Sequence, residues 1–308
     1  MIALQFPLRR ARHSVHAGER NGARGVRRPG VICGVKNAGC EAPLRHPKLS
    51  RSVSTTESKY IEKKDYLSRY SHERTVAMRE SPARLAAGFG NQAECLSLVQ
   101  EHLPKFIPFL THKCGLDFRG RVLEIGAGVA WLSAELSKLP KVVEVIATDF
   151  SPKLLREHAP KVFKLLKANV AKITRMPADF HKLDFPANHF DAVVCSGVLY
   201  DAANIVQVLR EAKRVLKPGG KFVAIREPVW PLVKIKSRAR MISRLVETGV
   251  NERFYSLADY KEYFKQAGLP LEVKRVNVST GFKYYVNAVV NGLTHARYAF
   301  IGTKRGRG

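Results

Sequence analysis

Val122-Leu123-Glu124-Ile125-Gly126-Ala127-Gly128 is the stretch on which the reading of this chain turns. With Arg121 it begins as a strand, apolar after that arginine at every position but Glu124 and rich in β-branched side chains. Two glycines then allow the backbone to turn sharply, and a helix-compatible run follows through Leu139. A strand that runs through a glycine turn into a helix aims backbone N–H groups and a helix N-terminus at the carboxyl end of the strand. Open α/β sheets bind ligands there.

The same alternation continues downstream. Val142–Thr148 reads as a second strand, Pro152–Leu166 as a helix and Ile173–Met176 as a short third strand. Phe190–Cys195 is a fourth, almost wholly apolar and so expected to be buried on both faces. Ile205–Leu216 reads as a helix closed by Lys217-Pro218-Gly219-Gly220, and Lys221–Ile225 as a fifth strand. Trp230–Thr248 has the pattern of a basic amphipathic helix carrying Lys234, Lys236, Arg238, Arg240 and Arg244. Ser256–Ala267 is another helix, with Ser256 as N-cap and Gly268 as its stop. Leu271–Val278 and Arg297–Lys304 complete the set as late strands. Upstream, Tyr60 to Thr75 and Ala83–Leu110 are helix-compatible, the latter interrupted by Pro104 and Pro108. Strands alternating with helices in this way specify an α/β protein with a mainly parallel sheet.

The acidic residues at the strand ends narrow the ligand. The third glycine of a dinucleotide fingerprint would fall at Trp131, and Glu124 would repel a pyrophosphate, so a nicotinamide dehydrogenase is disfavoured. Glu124 could instead receive the ammonium group of a methionine moiety. Asp149, in Ala147-Thr148-Asp149-Phe150, ends the second strand about twenty residues on, where an acid can accept both ribose hydroxyls. Phe150 belongs to the same candidate site. Asp179, in Pro177-Ala178-Asp179-Phe180, is placed to accept from an adenine amino group, with Phe180 offering a flat apolar surface to the base. Each residue also has an ordinary reading as turn, cap or loop contact; their joint register favours a cofactor site.

Three blocks carry a family resemblance. Val122 to Gly128 resembles motif I of the class I S-adenosylmethionine-dependent methyltransferases. Phe185-Pro186-Ala187-Asn188-His189-Phe190-Asp191-Ala192-Val193-Val194-Cys195-Ser196 is similar to the segment around that family's fourth strand, and Val208 through Gly220 to the helix and turn before its fifth. The likeness is to the type 11 subfamily that includes ubiquinone and menaquinone biosynthesis enzymes. It implies a Rossmann-like, three-layer α-β-α, doubly wound sheet of seven strands, parallel except for an antiparallel last strand, and S-adenosyl-L-methionine as cofactor. It further implies that Glu124, Gly126 and Gly128 hold the methionine end, Asp149 the ribose, and Asp179 and Phe180 the adenine. Ser196 and Gly197 would line the floor near the sulfonium.

Methyl transfer from a sulfonium is an in-line displacement that needs alignment more than a strong base. No catalytic dyad is visible. Tyr200 and Glu227 are the catalytic candidates, with Asp201 and Arg226 beside them; where many family members carry His, this chain has Tyr200. The Asn-Pro-Pro-Tyr type signature of base amine methylation is absent, and Cys195 lies within an apolar strand, as a packing residue does. Phe282, Tyr284 and Tyr285 suit either an acceptor pocket or a core around the last hairpin.

Composition adds the question of partners. The 308 residues carry 53 Lys and Arg against 26 Asp and Glu, a net charge of +27. Residues 1–58 contain 11 basic and 3 acidic side chains, net +8, which leaves +19 on the remainder. Such a body attracts anions, so an anionic small-molecule acceptor is one candidate and an RNA or ribosome substrate is the alternative. A non-catalytic binding protein on the same fold is a third reading. Five cysteines without a CxxC pair argue against a zinc site or disulfide framework, and no apolar run reaches the length of a membrane span. Residues 1–58, rich in Arg, Gly, Pro and Ser, read as a disordered basic tail, with a transit peptide, a nucleic-acid arm or sequence ahead of a later start such as Met78 as alternatives. The expected organisation is therefore this tail, a helical lid over 59–118 and a cofactor-binding domain over 119–308 with a basic insertion at about 230–256. The compartment expected is the cytoplasm, or the mitochondrion if the tail is a transit peptide.

Overall fold

The computed structural model describes residues 57–63, 66, 98–229, 255–279, 281–293 and 297–306. The anticipated basic helix over 230–248 and nearly all of the tail and of 64–97 lie outside the described residues. Residues 52–308 form one compact unit.

Its centre is a sheet of eight strands among the described residues, in the order β1-β4-β3-β2-β5-β6-β8-β7. The strands are β1 Lys59–Tyr60, β2 Gly120–Ile125, β3 Val142–Asp149, β4 Ile173–Pro177, β5 Phe190–Ser196, β6 Leu216–Ile225, β7 Leu271–Arg275 and β8 Tyr298–Thr303. β1 to β6 pair in parallel, and β8 runs antiparallel to both β6 and β7. The seven anticipated strands are all present, and the antiparallel last strand is β8. The eighth is an edge strand, β1, at the start of the segment expected to be helical. Its cause lies in β4. Arg175 is buried there, donates to Leu155 O and to Ser58 O (2.9 Å), and sets its guanidinium over the Tyr60 ring at 5.6 Å. A buried cation that needs carbonyl acceptors and an aromatic face recruits the passing chain as a strand. Ser58, assigned to the tail by composition, is accordingly buried.

Four helices cover the two faces, α1 Trp131–Ser137, α2 Ala159–Leu166, α3 Ile205–Val215 and α4 Leu257–Gln266, and a fifth, α5 Phe282–Leu293, lies in the connection between β7 and β8. Helical turns over 98–113 pack Phe106 beside Trp131, with ring centroids 6.3 Å apart. Side chains alternate along a strand, so Val122 enters the core beneath α1 and α2 while Leu123 and Ile125 enter the one beneath α3 and α4. α4 starts with a reciprocal capping box between Ser256 and Asp259, as Ser256 led one to expect. Lys217 to Gly220, anticipated as a turn, is absorbed into β6 as an irregularity: Phe190 pairs Leu216, yet Ala192 pairs Lys221. The aromatic run from Phe282 forms neither core nor hairpin; it lies on α5, with Phe282 and Tyr285 exposed. No described helix is long and apolar enough to cross a membrane.

The order reverses between β2 and β5, since β3 and β4 extend to one side and β6, β8 and β7 to the other. Such a switch point opens a crevice at the carboxyl ends of the strands. At the opposite end Asp191 accepts the Arg121 N–H at 2.8 Å and both of its oxygens meet Lys217 Nζ, tying β2, β5 and β6 together. Burial opposes its ionisation, but Lys217 and the Arg121 N–H outweigh that and hold its pKa below the usual range. A Cβ on Gly120, whose φ is +60°, would fall 2.2 Å from Asp191 Oδ2. Gly120→Ala should therefore cost about 1–3 kcal/mol of stability. Denaturant melts of the two proteins measure this, and an unchanged midpoint would disprove the clasp.

Candidate functional site

The turn after β2 is built from alternating left-handed residues: Gly126 (φ 60°), Gly128 (56°) and Ala130 (56°). Gly126 is required sterically as well, because a Cβ there would stand 2.6 Å from Val198 Cγ1, and Val198 is itself buried. At Gly128 the reverse holds. A Cβ would meet nothing within 4 Å, so its backbone borders open space. Alternating backbone handedness of this kind gathers N–H groups into a concave array at the start of α1.

Glu124 is 1% exposed and points to the α1 face of the sheet. Its Oε2 accepts the Ser133 N–H at 2.8 Å and the Ser133 hydroxyl. Burial pushes its pKa up to about 8, the two Ser133 hydrogen bonds pull it down, and nearby Asp149 raises it again. Thr148 donates to the Glu124 carbonyl at 2.7 Å, which fixes the ends of β2 and β3 together.

Asp149, 2% exposed, spans two loops. Oδ2 accepts the Gly128 N–H at 2.7 Å and Oδ1 the Ser151 N–H at 2.8 Å. A carboxylate offers about four acceptor positions, so this carboxylate can fix the turn and still receive hydroxyl donors. Phe150 follows it, edge-on to the Tyr66 ring at 6.0 Å, while the Tyr66 hydroxyl donates to Phe150 O.

Asp179 is equally buried, and its Oδ1 accepts both the His181 N–H (2.8 Å) and the His181 ring at Nδ1 (2.9 Å). Nε2 of His181 accepts the Asn204 N–H at 3.3 Å, which places the ring proton on Nδ1. Phe180 is 8% exposed and packs into the α3 core, its ring 4.8 Å from that of His181, so little of it remains as an open platform.

Ser196 and Gly197 close β5. Gly197 has φ +66°, and its N–H donates to Ile225 O at 2.8 Å. The short helical turn Leu199–Asp201 follows and presents half-buried Tyr200. Glu227 does not lie open to the crevice, as its position after β6 led one to expect. It is 4% exposed beneath this turn and accepts N–H groups from Val198 (2.9 Å) and Tyr200 (3.3 Å). Burial raises its pKa to about 7 despite the backbone hydrogen bonds of Val198, Leu199 and Tyr200. Cys195 is fully buried, and burial first, then Glu227 and Glu124, hold its thiol well above its usual value; it packs and does not react.

Glu124, Gly126, Gly128, Asp149, Ser196, Gly197 and the 199–201 turn thus meet around the carboxyl ends of β2, β3 and β5, with Asp179 beyond β4. Among the described residues no group of three or more His, Cys, Asp and Glu could hold a metal ion. Sequence reasoning missed Ser133, Thr148, Val198 and His181. Ser133, Val198 and His181 are partners of acids it did identify; only the fold shows that those acids need partners.

A family model described as a methyltransferase domain matches residues 123–224. The chain is 30% identical over 166 residues to the ubiquinone/menaquinone biosynthesis C-methyltransferase UbiE of Geobacter sp. (strain M21), covering 51% of this chain and 70% of that one. It is 28% identical over 172 residues to the protein of the same name from Yersinia enterocolitica, covering 54% and 67% respectively. In structure it resembles the phosphoethanolamine N-methyltransferase 2 of Haemonchus contortus with S-adenosyl-L-methionine, at a TM-score of 0.57 and 15% identity over 75% of this chain and 60% of that one. At that identity the likeness speaks to the fold alone.

The two buried glutamates make stability depend on pH. Both have folded-state pKa values, about 8 for Glu124 and about 7 for Glu227, above the ordinary 4.5, so the folded protein holds their protons more tightly than the unfolded chain. Their favourable contribution is complete below about pH 4.5 and is lost as pH rises through 7 and 8. Glu124→Gln and Glu227→Gln, together, should flatten the fall of the melting temperature between about pH 5 and pH 8. Parallel slopes for variant and parent would refute the raised values.

Proposed function

This chain belongs to the class I S-adenosylmethionine-dependent methyltransferases, in the UbiE-like type 11 subfamily, and on that premise we propose that it methylates a small-molecule acceptor at the crevice between β2 and β5. The observation that carries the proposal is the set of buried acids at adjacent strand ends, grouped around the open backbone of Gly128. In a chain of net charge +27, a local concentration of carboxylates suits a ligand bearing cationic ammonium and sulfonium centres.

Glu124 and the N–H groups of the 126–128 turn hold the methionine end. An ammonium arriving near Glu124 favours its ionised form, so binding at neutral pH is coupled to proton release. Asp149 takes the ribose hydroxyls with the acceptor positions that Gly128 and Ser151 leave. Asp179, held in orientation by His181, receives the adenine amino group; Phe150 and Phe180 supply apolar edges to the base. Bound S-adenosyl-L-methionine supplies an activated methyl group for in-line displacement. Ser196 and Gly197 form the floor beneath it, and Tyr200 borders the acceptor. Glu227 braces the turn that carries Tyr200, through N–H groups on both sides of Leu199, and so acts on alignment and not as an exposed base. The relatives are named for C-methylation in ubiquinone and menaquinone biosynthesis, which supports a small acceptor and makes carbon the first atom to test.

Calorimetric titration should show micromolar binding of S-adenosyl-L-methionine and none of NADH. Asp149→Ala should weaken that binding by about 10- to 100-fold while the domain still melts cooperatively. Unchanged affinity would remove Asp149 from the ribose site.

A further inference from the structure

Helix α5 is amphipathic in the wrong sense for a helix that caps a core. Phe282, Tyr285, Val286 and Val289 stand at i, i+3, i+4 and i+7, the spacing of one helical face. They are 82%, 70%, 43% and 65% exposed. Two local hydrogen bonds tie it to the loop that precedes it: Asn287 donates to Ser279 Oγ at 2.6 Å, and Asn277 donates to Tyr284 O at 2.8 Å. The helix is thus held by hydrogen bonds with its apolar face turned outward. A face of mixed aromatic and aliphatic side chains so exposed marks a surface that meets something apolar.

Charge selects the occupant. From Val273 to Arg297, the stretch that carries α5, there is no Asp or Glu, against four Lys and Arg: Lys274, which pairs with Glu272 at 2.6 Å, and Arg275, Lys283 and Arg297. A second copy would bring the same positive surface against itself in a chain of +27. Single-stranded RNA would use the aromatic rings but has no need of Val286 and Val289. An anionic bilayer satisfies both features, taking the apolar arc into its interface and the cations at its headgroups, with tyrosine at the boundary between the two. At 12 residues α5 would lie on the membrane and not span it.

Topology gives the docking a consequence. β7 ends at Arg275 opposite Tyr298, where β8 begins, and β8 passes Ala224 near the end of β6. The connection carrying α5 therefore leaves and rejoins the sheet at the carboxyl ends of the parallel strands, the end that holds Glu124, Asp149 and Glu227. We propose that the outward face of α5 is a docking surface for an anionic lipid bilayer, which holds that end of the sheet beside the membrane.

The test is co-sedimentation of the full chain with vesicles of phosphatidylcholine alone or mixed with phosphatidylserine. The native protein should bind the mixed vesicles, more weakly at high salt. The combined variant Phe282→Ser, Tyr285→Ser and Val289→Ser should bind them about a hundredfold more weakly, with melting temperature and S-adenosyl-L-methionine affinity unchanged. In Tyr285→Trp, fluorescence should shift to the blue on adding mixed vesicles, relative to the parent. No vesicle binding by the native chain, equal binding by the triple variant, or no blue shift would overturn the proposal. So would a triple variant that loses self-association or RNA binding in a protein that ignores vesicles.

Discussion

Four carboxylates buried at one end of one sheet set the terms for this protein. Glu124, Asp149, Asp179 and Glu227 are each 4% exposed or less, and each accepts backbone N–H groups, Glu124 from Ser133 in α1 and the other three from loops that leave the sheet. A buried carboxylate without such donors would cost several kcal/mol. The loops are therefore not free to take other paths: the Gly126 turn, the Ser151 turn, the His181 bend and the Val198 turn all close onto their acids. The strain of three left-handed residues in five positions, one of them Ala130, is carried by the same contacts.

That arrangement links stability to function. The acids that hold these loops in place are the ones proposed to receive the cationic cofactor, so the proposed site is preorganised by its own hydrogen bonds. Burial lifts the pKa values of Glu124 and Glu227 into the neutral range, to about 8 and about 7. Glu124 lies on β2 behind the glycine turn, and Glu227 lies just after β6 beneath the Tyr200 turn. Proton occupancy at these two positions bears on both the Gly126 turn and the Tyr200 turn.

The opposite end of the sheet is held differently. Asp191 binds Arg121 and Lys217 and stays readily ionised, and Gly120 is glycine because Asp191 occupies the space of a side chain. One end is an ion pair that only has to hold; the other is a set of acids with acceptor capacity to spare. The α5 face adds a third kind of surface, apolar and outward, in a segment without acidic residues.

The sequence by itself determined the parallel sheet, the glycine turn after Ile125 and the acids that stand at the strand ends. Each of those rests on local chemistry: apolar runs of strand length, glycines at a turn and acids directly after a strand. It also determined the Ser256 cap, because capping is decided within four residues. What it could not determine were the partners of long reach. Lys59–Tyr60 became a strand because of Arg175, more than a hundred residues away, and Ser133 and His181 matter only through the acids that their backbone and side chains meet. Glu227 was visible as a candidate, but its burial under the 198–200 turn depends on how β6 and β5 align. The aromatic run from Phe282 showed the limit most plainly. Its spacing was in the sequence, yet that Phe282, Tyr285 and Val289 stand exposed was decided by the tertiary structure, because a periodicity cannot state its own direction.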